Sequence, residues 1–173
     1  MPSERETHKS DRILSEIRLR REREKIQDVD EPAEQFVIFS LSGDLYALAG
    51  REVLEILPEE EIHPIPGAPP CIPGLITVRG EIESVLDLRA VLGLPARREG
   101  KGLILLASGG HVRSGILIDT VEDVADVPHS SILPPPTTLG NGVREYVCGH
   151  LERGGRNVVL LDPARIFGSA AVA

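Results

Sequence analysis

The chain has 173 residues, enough for one ordinary domain or two small ones. Its 27 acidic and 19 basic side chains give a net charge of -8, and aromatic residues make up 3% of the composition, with no tryptophan. An acidic chain repels phosphate backbones and one poor in aromatics lacks stacking platforms, so we expect no nucleic-acid binding. Two unpaired cysteines, a charged start and no apolar run of membrane-spanning length predict a cytoplasmic chain without membrane insertion.

Residues 1–31 are predicted to be a charged, partly helical N-terminal extension. Residues 1–30 hold eight basic and eight acidic side chains, so the acidic excess falls entirely on the remainder of the chain. The stretch SDRILSEIRLRREREKIQ, residues 10–27, contains no glycine or proline and favours a helix. Its short apolar stripe, Ile13 to Ile17, is too thin for a coiled coil. Two interpretations stay open: a solvated tail, or a helix that docks on a partner or on the body.

From residue 32 onward the chain is predicted to be an all-β body. The apolar period changes from about 3.6 residues to about 2 in the stretch EQFVIFSLSGDLYAL, as is typical of strands. Glycine-containing turns predict hairpins further along, and AVLGLP (90–95) predicts one helical turn ended by glycine and proline. The predicted turns lie at Ser42-Gly43-Asp44, Arg79-Gly80, Gly109-Gly110 and Gly154-Gly155.

The body repeats itself in four short blocks that recur in the same order with slowly growing spacing. The pairs are Gly43 with Gly110, Val53-x-Glu55-Ile56 with Val121-x-Asp123-Val124, Ile62-x-Pro64-x-Pro66 with Ile132-x-Pro134-x-Pro136, and Gly74, Gly80 and Val85-Leu86-Asp87 with Gly149, Gly155 and Leu160-Leu161-Asp162. The order predicts two β-halves of about five strands, each closed into a barrel and packed on the other. We expect the strands of the second barrel at roughly residues 90–145.

No pattern of nucleophile and base, of metal ligands or of phosphate-binding glycines is found, so we expect no enzyme, metal or cofactor. The motif Arg153-Gly154-Gly155-Arg156 is interpreted as a hairpin turn. Arg79 allows two roles, a brace for the fold or a contact for a partner, because the repeat does not require it. The repeat-related glycines and aspartates are expected to be structural turn residues, the aspartates accepting hydrogen bonds from turn or helix N–H groups: Gly74, Gly80, Asp87, Gly149, Gly155 and Asp162.

Together these stretches resemble the CheW-like domain family over about residues 34–168. The resemblance rests on FVIFSLSGDLYALAGREVLEIL, PGLITVRGEIESVLDLR, GILIDTVEDV and GHLERGGRNVVLLDPARIF. It implies a domain over residues 32–173 made of two five-stranded, SH3-like β-barrels. It also implies a non-enzymatic adaptor that joins a CheA-type histidine kinase to chemoreceptor cytoplasmic tips in bacterial arrays attached to the membrane. The alternative is a CheW-like module of a non-flagellar pathway, whose different partner is bound through the N-terminal helix.

The resemblance also implies which residues bind partners. Arg79 stands at the family's characteristic arginine, in the region associated with receptor contact. The remaining implied partner-binding residues lie in two stretches, Val53, Glu55 and Ile56 in the first half and Gly115, Val121 and Val124 in the second. The groove between the barrels is expected to hold the receptor tip, and the kinase is expected to dock through barrel ends. Thr77-Val78 and Ser84 depart from the family pattern beside Arg79, so details of partner binding are expected to differ there.

Overall fold

The computed structural model describes residues 31–97 and 99–172, together with Ser15 and Leu19. The helix predicted at residues 10–27 lies outside the described residues, apart from Ser15 and Leu19, both of which are helical. Glu34–Ala173 forms one compact unit and Met1–Ala33 another.

The described part of the larger unit is built mainly from strands, as the sequence predicts. The strands are β1 (Ala33–Leu41), β2 (Asp44–Ala49), β3 (Val53–Pro58), β4 (Gly74–Val78), β5 (Glu81–Asp87), β6 (Leu103–Gly109), β7 (Val112–Ile118), β8 (Thr120–Pro128), β9 (Val147–Arg153) and β10 (Arg156–Leu161). Three helices, α1 (Leu88–Leu92), α2 (Asn141–Arg144) and α3 (Pro163–Val172), lie in connections or at the end. Two single 3-10 turns, Gly50–Glu52 and His129–Ser131, precede and follow strands. No helix within the described residues has the length and apolar content needed to cross a membrane.

The strands form two five-stranded sheets with the same internal order, which confirms the predicted pair of packed five-stranded units. One sheet has the order β8-β1-β2-β10-β9 and the other has the order β3-β6-β7-β5-β4. In each sheet a parallel pair joins strands that are distant in sequence, β2 with β10 and β5 with β7. The four hairpin pairs, β1–β2, β4–β5, β6–β7 and β9–β10, are antiparallel, as expected for strands joined by tight turns.

The two repeats exchange their hairpins, so the strands expected at residues 90–145 do not make the second barrel. Hairpin β1–β2 of the first repeat joins β8, β9 and β10 of the second, while hairpin β6–β7 joins β3, β4 and β5. Each sheet is therefore completed by two strands from the other repeat. The physical reason is that the exchange pairs β2 with β10 and β5 with β7. One strand of each hairpin thereby gains backbone hydrogen-bond partners that it would lack as an exposed edge. Repeat order alone does not distinguish this exchange from two independent barrels.

Both faces of hairpin β1–β2 are buried, which explains its nearly continuous apolar sequence. Phe36 and Ile38 lie in a cluster enclosed by their own sheet, whereas Val37 and Phe39 lie in a larger core shared by both sheets. The other sheet encloses a smaller cluster, which consists of Ile76, Val85, Ile104 and Leu117. The shared core draws apolar side chains from both sheets and from α3, so the two barrels fold as one unit.

The aspartates predicted to accept helix N–H groups lie at the starts of α1 and α3. The Asp87 side chain accepts a hydrogen bond from the Arg89 N–H at 3.0 Å, and the Asp162 side chain accepts one from the Ala164 N–H at 2.9 Å. Helix α3 itself was not predicted, because the closing sequence was interpreted only as a hairpin. Its signal was present as Asp162-Pro163, an N-cap residue followed by proline at the first helical position.

Arg89 is among the largest fully buried side chains of the described residues, with 1% of its surface exposed. Its guanidinium pairs with Asp87 and with Asp119, which lies in the link between β7 and β8. Because β7 and β8 belong to different sheets, this buried pairing joins the first-repeat helix α1 to the crossing between the barrels. Sequence reasoning missed the role of Arg89, although a lone arginine within an apolar helical turn marks a charge that needs a buried partner.

Glu59, which directly follows β3, forms hydrogen bonds with the loop before β6. We expect these hydrogen bonds to depend on pH. Its carboxylate accepts two hydrogen bonds from Arg97, at 2.6 and 2.8 Å, and one from the Gly102 N–H at 2.6 Å. The Arg97 hydrogen bonds are the main cause that lowers the pKa of Glu59 below its ordinary value of 4.5, against a smaller opposing effect of burial.

Replacing Glu59 with glutamine is expected to lower the free energy of unfolding at pH 7 by about 1–2 kcal/mol. Because the pKa of Glu59 is lowered in the folded state, the unfolded chain binds more protons at acidic pH. The stabilisation by Glu59 is therefore complete well above pH 4.5 and is lost as the pH falls through the folded-state pKa. Urea unfolding at pH 7 and in steps below pH 4.5 measures the difference, which should shrink on acidification. Glu60→Gln removes the same charge from an exposed neighbour and is the matched control. A constant difference at all pH values would contradict the assignment.

Candidate partner-binding surface

Arg79 occupies a backbone conformation that normally favours glycine. It forms the two-residue turn between β4 and β5 with Gly80, and their φ angles are +51° and +84°. The corresponding turn of the second repeat is Gly154-Gly155, with φ angles of +57° and +74°. A side chain in this region costs roughly 1 kcal/mol relative to glycine. The first repeat therefore carries an arginine at a position where folding alone favours glycine, a pattern found at functional sites.

The guanidinium of Arg79 forms an ion pair between the two edge strands of its sheet. Its Nη2 donates to Oε1 of Glu55 at 2.7 Å, and Glu55 lies on β3, at the opposite edge of the sheet from β4. The Arg79 side chain is nevertheless 79% exposed. Sequence reasoning left Arg79 as either a brace or a partner contact, and the geometry is compatible with both at once. A cavity of about 150 Å³ lies at this edge, with Leu57, Ile76 and the Arg79–Glu55 pair among its lining residues.

Exposed apolar side chains lie on the strands that flank the Arg79–Glu55 pair. Along β3 the outward positions are Leu54 and Ile56, whereas Val53 is half-buried and packs against the shared core. On β5, Ile82 is 72% exposed and lies directly across from Thr77 of β4. Single exposed apolar residues are ordinary; Leu54 and Ile56 lie on β3 at one edge of the sheet, and Ile82 lies on β5, next to the other edge strand. Sequence reasoning named Ile56 and missed Leu54 and Ile82.

The second-repeat residues named from the sequence fall into three different environments. Val124 is exposed on β8, and Val121 is half-buried and packs against the shared core. Gly115 is buried in the middle of β7, so it offers no side-chain surface to a partner. A Cβ at Gly115 would lie 2.8 Å from the Ile104 side chain, so the glycine is required for packing between neighbouring strands.

Asp123, between Val121 and Val124, pairs with Arg153 at the end of β9. Nε and Nη2 of Arg153 lie 2.8 and 2.5 Å from Oδ2 of Asp123. Strands β8 and β9 are the two edges of their sheet, so this pair has the same placement as Arg79 with Glu55. Arg153 was interpreted from the sequence only as part of a turn.

The structural glycines separate into turn residues and close-packing residues. Gly80 and Gly155 lie in turns and have positive φ angles, as described above. Gly74 and Gly149, expected in turns, lie in strands β4 and β9 instead. A Cβ at either position would approach the carbonyl oxygen of a crossing segment, that of His63 at 2.2 Å or that of Leu133 at 2.8 Å. Each crossing segment forms a bridge to the strand, which leaves no room for a side chain.

Comparisons with known proteins identify similar chains and a similar fold. A family model described as the CheW-like domain matches residues 35–171. The chain is 27% identical over 146 residues to the chemotaxis protein CheW of Treponema pallidum, covering 82% of this chain and 86% of that protein. It is 31% identical over 143 residues to protein FrzA of Myxococcus xanthus, covering 80% and 88%. The crystal structure of the scaffolding protein TtCheW from Thermoanaerobacter tengcongensis matches with a TM-score of 0.69 and 29% identity, covering 76% of this chain and 90% of that one.

Proposed function

The chain belongs to the CheW-like domain family, and from this premise we propose that it is a chemosensory adaptor that couples a CheA-type histidine kinase to chemoreceptor cytoplasmic tips. The observation that carries the proposal is Arg79, held with its guanidinium exposed in a turn where the second repeat uses glycine. An arginine fork presented in this way suits recognition of carboxylates and carbonyls on another protein. The exposed Ile56 on β3 and Ile82 on β5 offer apolar area on the same sheet.

The proposed mechanism is scaffolding without catalysis. One surface binds the kinase and another binds the receptor, so each bound partner raises the effective concentration of the other. Signals pass when receptor states differ in their affinity for the adaptor. We propose that the adaptor works on the cytoplasmic side of the membrane, where it is recruited to receptor arrays, and that it uses no cofactor.

The test is a pull-down from the source cell with the tagged full chain, followed by identification of the captured proteins. We expect enrichment of a kinase that itself carries a CheW-like domain, and of a methyl-accepting receptor. A tagged protein of similar size and charge is the control for non-specific capture. Absence of both classes above that control would contradict the proposed function.

A second candidate function rests on the N-terminal segment, because the family match begins only at residue 35. In that alternative, a CheW-like regulatory module of a non-flagellar chemosensory-like pathway recruits a different partner through the helix predicted at residues 10–27.

Deletion of residues 1–30 separates the two candidates. Under the adaptor proposal, the shortened chain retains kinase and receptor binding within about twofold, because both surfaces lie in the body. Affinities for purified kinase and receptor fragments, measured for both chains, provide the test. Loss of the principal captured partner on deletion would favour the alternative instead.

A further inference from the structure

The half of β5 next to the Arg79 turn extends beyond the backbone pairing that joins β5 to β7. This pairing covers Val85–Asp87, whereas β5 itself begins at Glu81. In the other sheet, the corresponding pairing of β10 with β2 begins at Val158. Counted from the second glycine-favouring position of each turn, the pairing begins at the fifth residue in β5 and at the third in β10. The arginine-bearing turn therefore projects further from its neighbouring strand than the glycine turn of the second repeat.

Arg113 of β7 links this projecting half of β5 to the neighbouring strand. Its Nη2 donates to Oε1 of Glu83 and to Oε2 of Glu81. The Glu83 side chain is 6% exposed, whereas Glu81 is 68% exposed and directly follows the turn. Residues two apart in a strand lie on the same face, so the two carboxylates would repel each other without the guanidinium between them. Arg113 thus ties the residue beside the turn to β7.

The second repeat shows that folding does not require an ion pair at this place. Val158 of β10 pairs with Leu45 of β2, and both side chains are buried in the cluster enclosed by their sheet. The repeat and the register of the parallel strands place this pair where the first repeat has Glu83 and Arg113. Apolar residues often stabilise such a position as well as a buried ion pair does, or better. The first repeat therefore carries charged residues where an apolar contact suffices, and they lie beside its arginine-bearing turn.

The Arg79 turn needs a restraint that does not involve the Arg79 side chain. The guanidinium donates to Glu55 at 2.7 Å. A carboxylate or carbonyl of a partner that accepts from the same guanidinium competes with Glu55, so this ion pair does not hold the turn while a partner is bound. The contact between Arg113 and Glu81 uses no atom of Arg79 and persists during binding. A turn that is already held in one position loses less conformational entropy when it binds.

We propose that Arg113 and Glu81 are positioning residues that hold the Arg79 turn in the orientation in which its guanidinium meets a partner. The inference rests on the proposed function, in which Arg79 contacts another protein. Glu83 anchors Arg113, and Glu81 transmits the restraint to the turn. Both residues act through Arg79 and not by touching the partner.

Two variants of the full chain remove the restraint without leaving a buried charge unpaired. Glu81→Ala deletes the exposed end of the link and should change the melting temperature by no more than about 2 °C. Glu83→Val combined with Arg113→Leu copies the apolar pair of the second repeat, so its melting temperature should stay the same or rise. In both variants the NMR order parameters of the Arg79 and Gly80 amides are expected to fall from about 0.8 to about 0.6. Receptor-dependent activation of the kinase, measured with receptor-bearing vesicles, should fall about three- to fivefold.

Two further variants provide the controls. Glu81→Gln keeps an oxygen that accepts from Arg113, so it should recover part of both the turn order and the kinase activation. Glu152→Ala removes an exposed glutamate from β9, beside the turn of the second repeat, and should change neither readout.

The two readouts separate failure of the positioning role from failure of the proposed function. If the Arg79 turn stays as ordered as in the wild type in both test variants, the restraint does not exist and the inference is wrong. If the turn loosens but kinase activation is unchanged, the position of the turn does not matter for coupling, which also overturns the inference. If the wild type itself gives no receptor-dependent activation, the proposed function fails, and the positioning role for a partner fails with it. Loss of activation with a loosened turn and unchanged stability is the result that a purely structural role does not produce.

Discussion

Residues 34–100 and 101–173, produced as two separate chains, are each expected to remain unfolded alone and to assemble into a folded complex when mixed. The first fragment contains β1 to β5 and the second contains β6 to β10. Because the repeats exchange hairpins, neither fragment holds the five strands of either sheet. Each has a hairpin whose sheet neighbours lie in the other fragment, and each lacks half of the shared core.

Circular dichroism and two-dimensional NMR of each fragment, alone and mixed at equal concentration, measure this behaviour. We expect dispersed amide signals and cooperative unfolding only in the mixture. The full chain cleaved between residues 100 and 101 after folding is the control, because it should retain its structure until it is denatured. Independent folding of residues 34–100 into a closed barrel would contradict the exchanged topology.

The strands were predictable and their partners were not, for a physical reason. Hydrophobic alternation and glycine turns depend on local geometry, so β1, β2 and the hairpin β4–β5 can be predicted from the sequence. Pairing between β2 and β10 depends on residues far apart in the chain, and an exchanged hairpin buries the same faces as an unexchanged one. The ordered repeat therefore predicted two packed units of five strands but placed the second at residues 90–145, across strands of both sheets.

The candidate surface was predictable where a residue acts through its own chemistry. Arg79 was identified as unusual because the repeat does not require an arginine there. Its positive φ angle shows in addition that the backbone at this position favours glycine. Ion pairs between distant strands cannot be predicted from local patterns, so Glu55 was named without its contact and Arg153 was interpreted only as part of a turn. Gly115 could not be assigned correctly from the sequence. A glycine in a motif does not show whether the missing side chain makes room for a partner or for the packing of the core.

Replacing Arg79 with glycine is expected to leave the fold at least as stable and to weaken receptor-dependent activation of the kinase about tenfold or more. Glycine suits the positive φ angle of this turn, so the free energy of unfolding should stay the same or rise by up to about 1 kcal/mol. The lost ion pair with Glu55 offsets little of this gain, because the guanidinium is largely exposed. Urea unfolding measures the stability, and kinase activity in the presence of receptor-bearing vesicles measures the coupling.

The glycine variant separates the two roles that the sequence leaves open for Arg79. A brace contributes through Glu55, so its loss would lower stability and coupling together, whereas a partner contact is lost without any cost to folding. Arg79→Lys is the second variant, since it keeps the charge but not the planar fork, and we expect it to recover only part of the coupling. Full coupling in a stable glycine variant would show that the guanidinium is not used. Because glycine relieves the turn, a loss of coupling in that variant is not explained by misfolding.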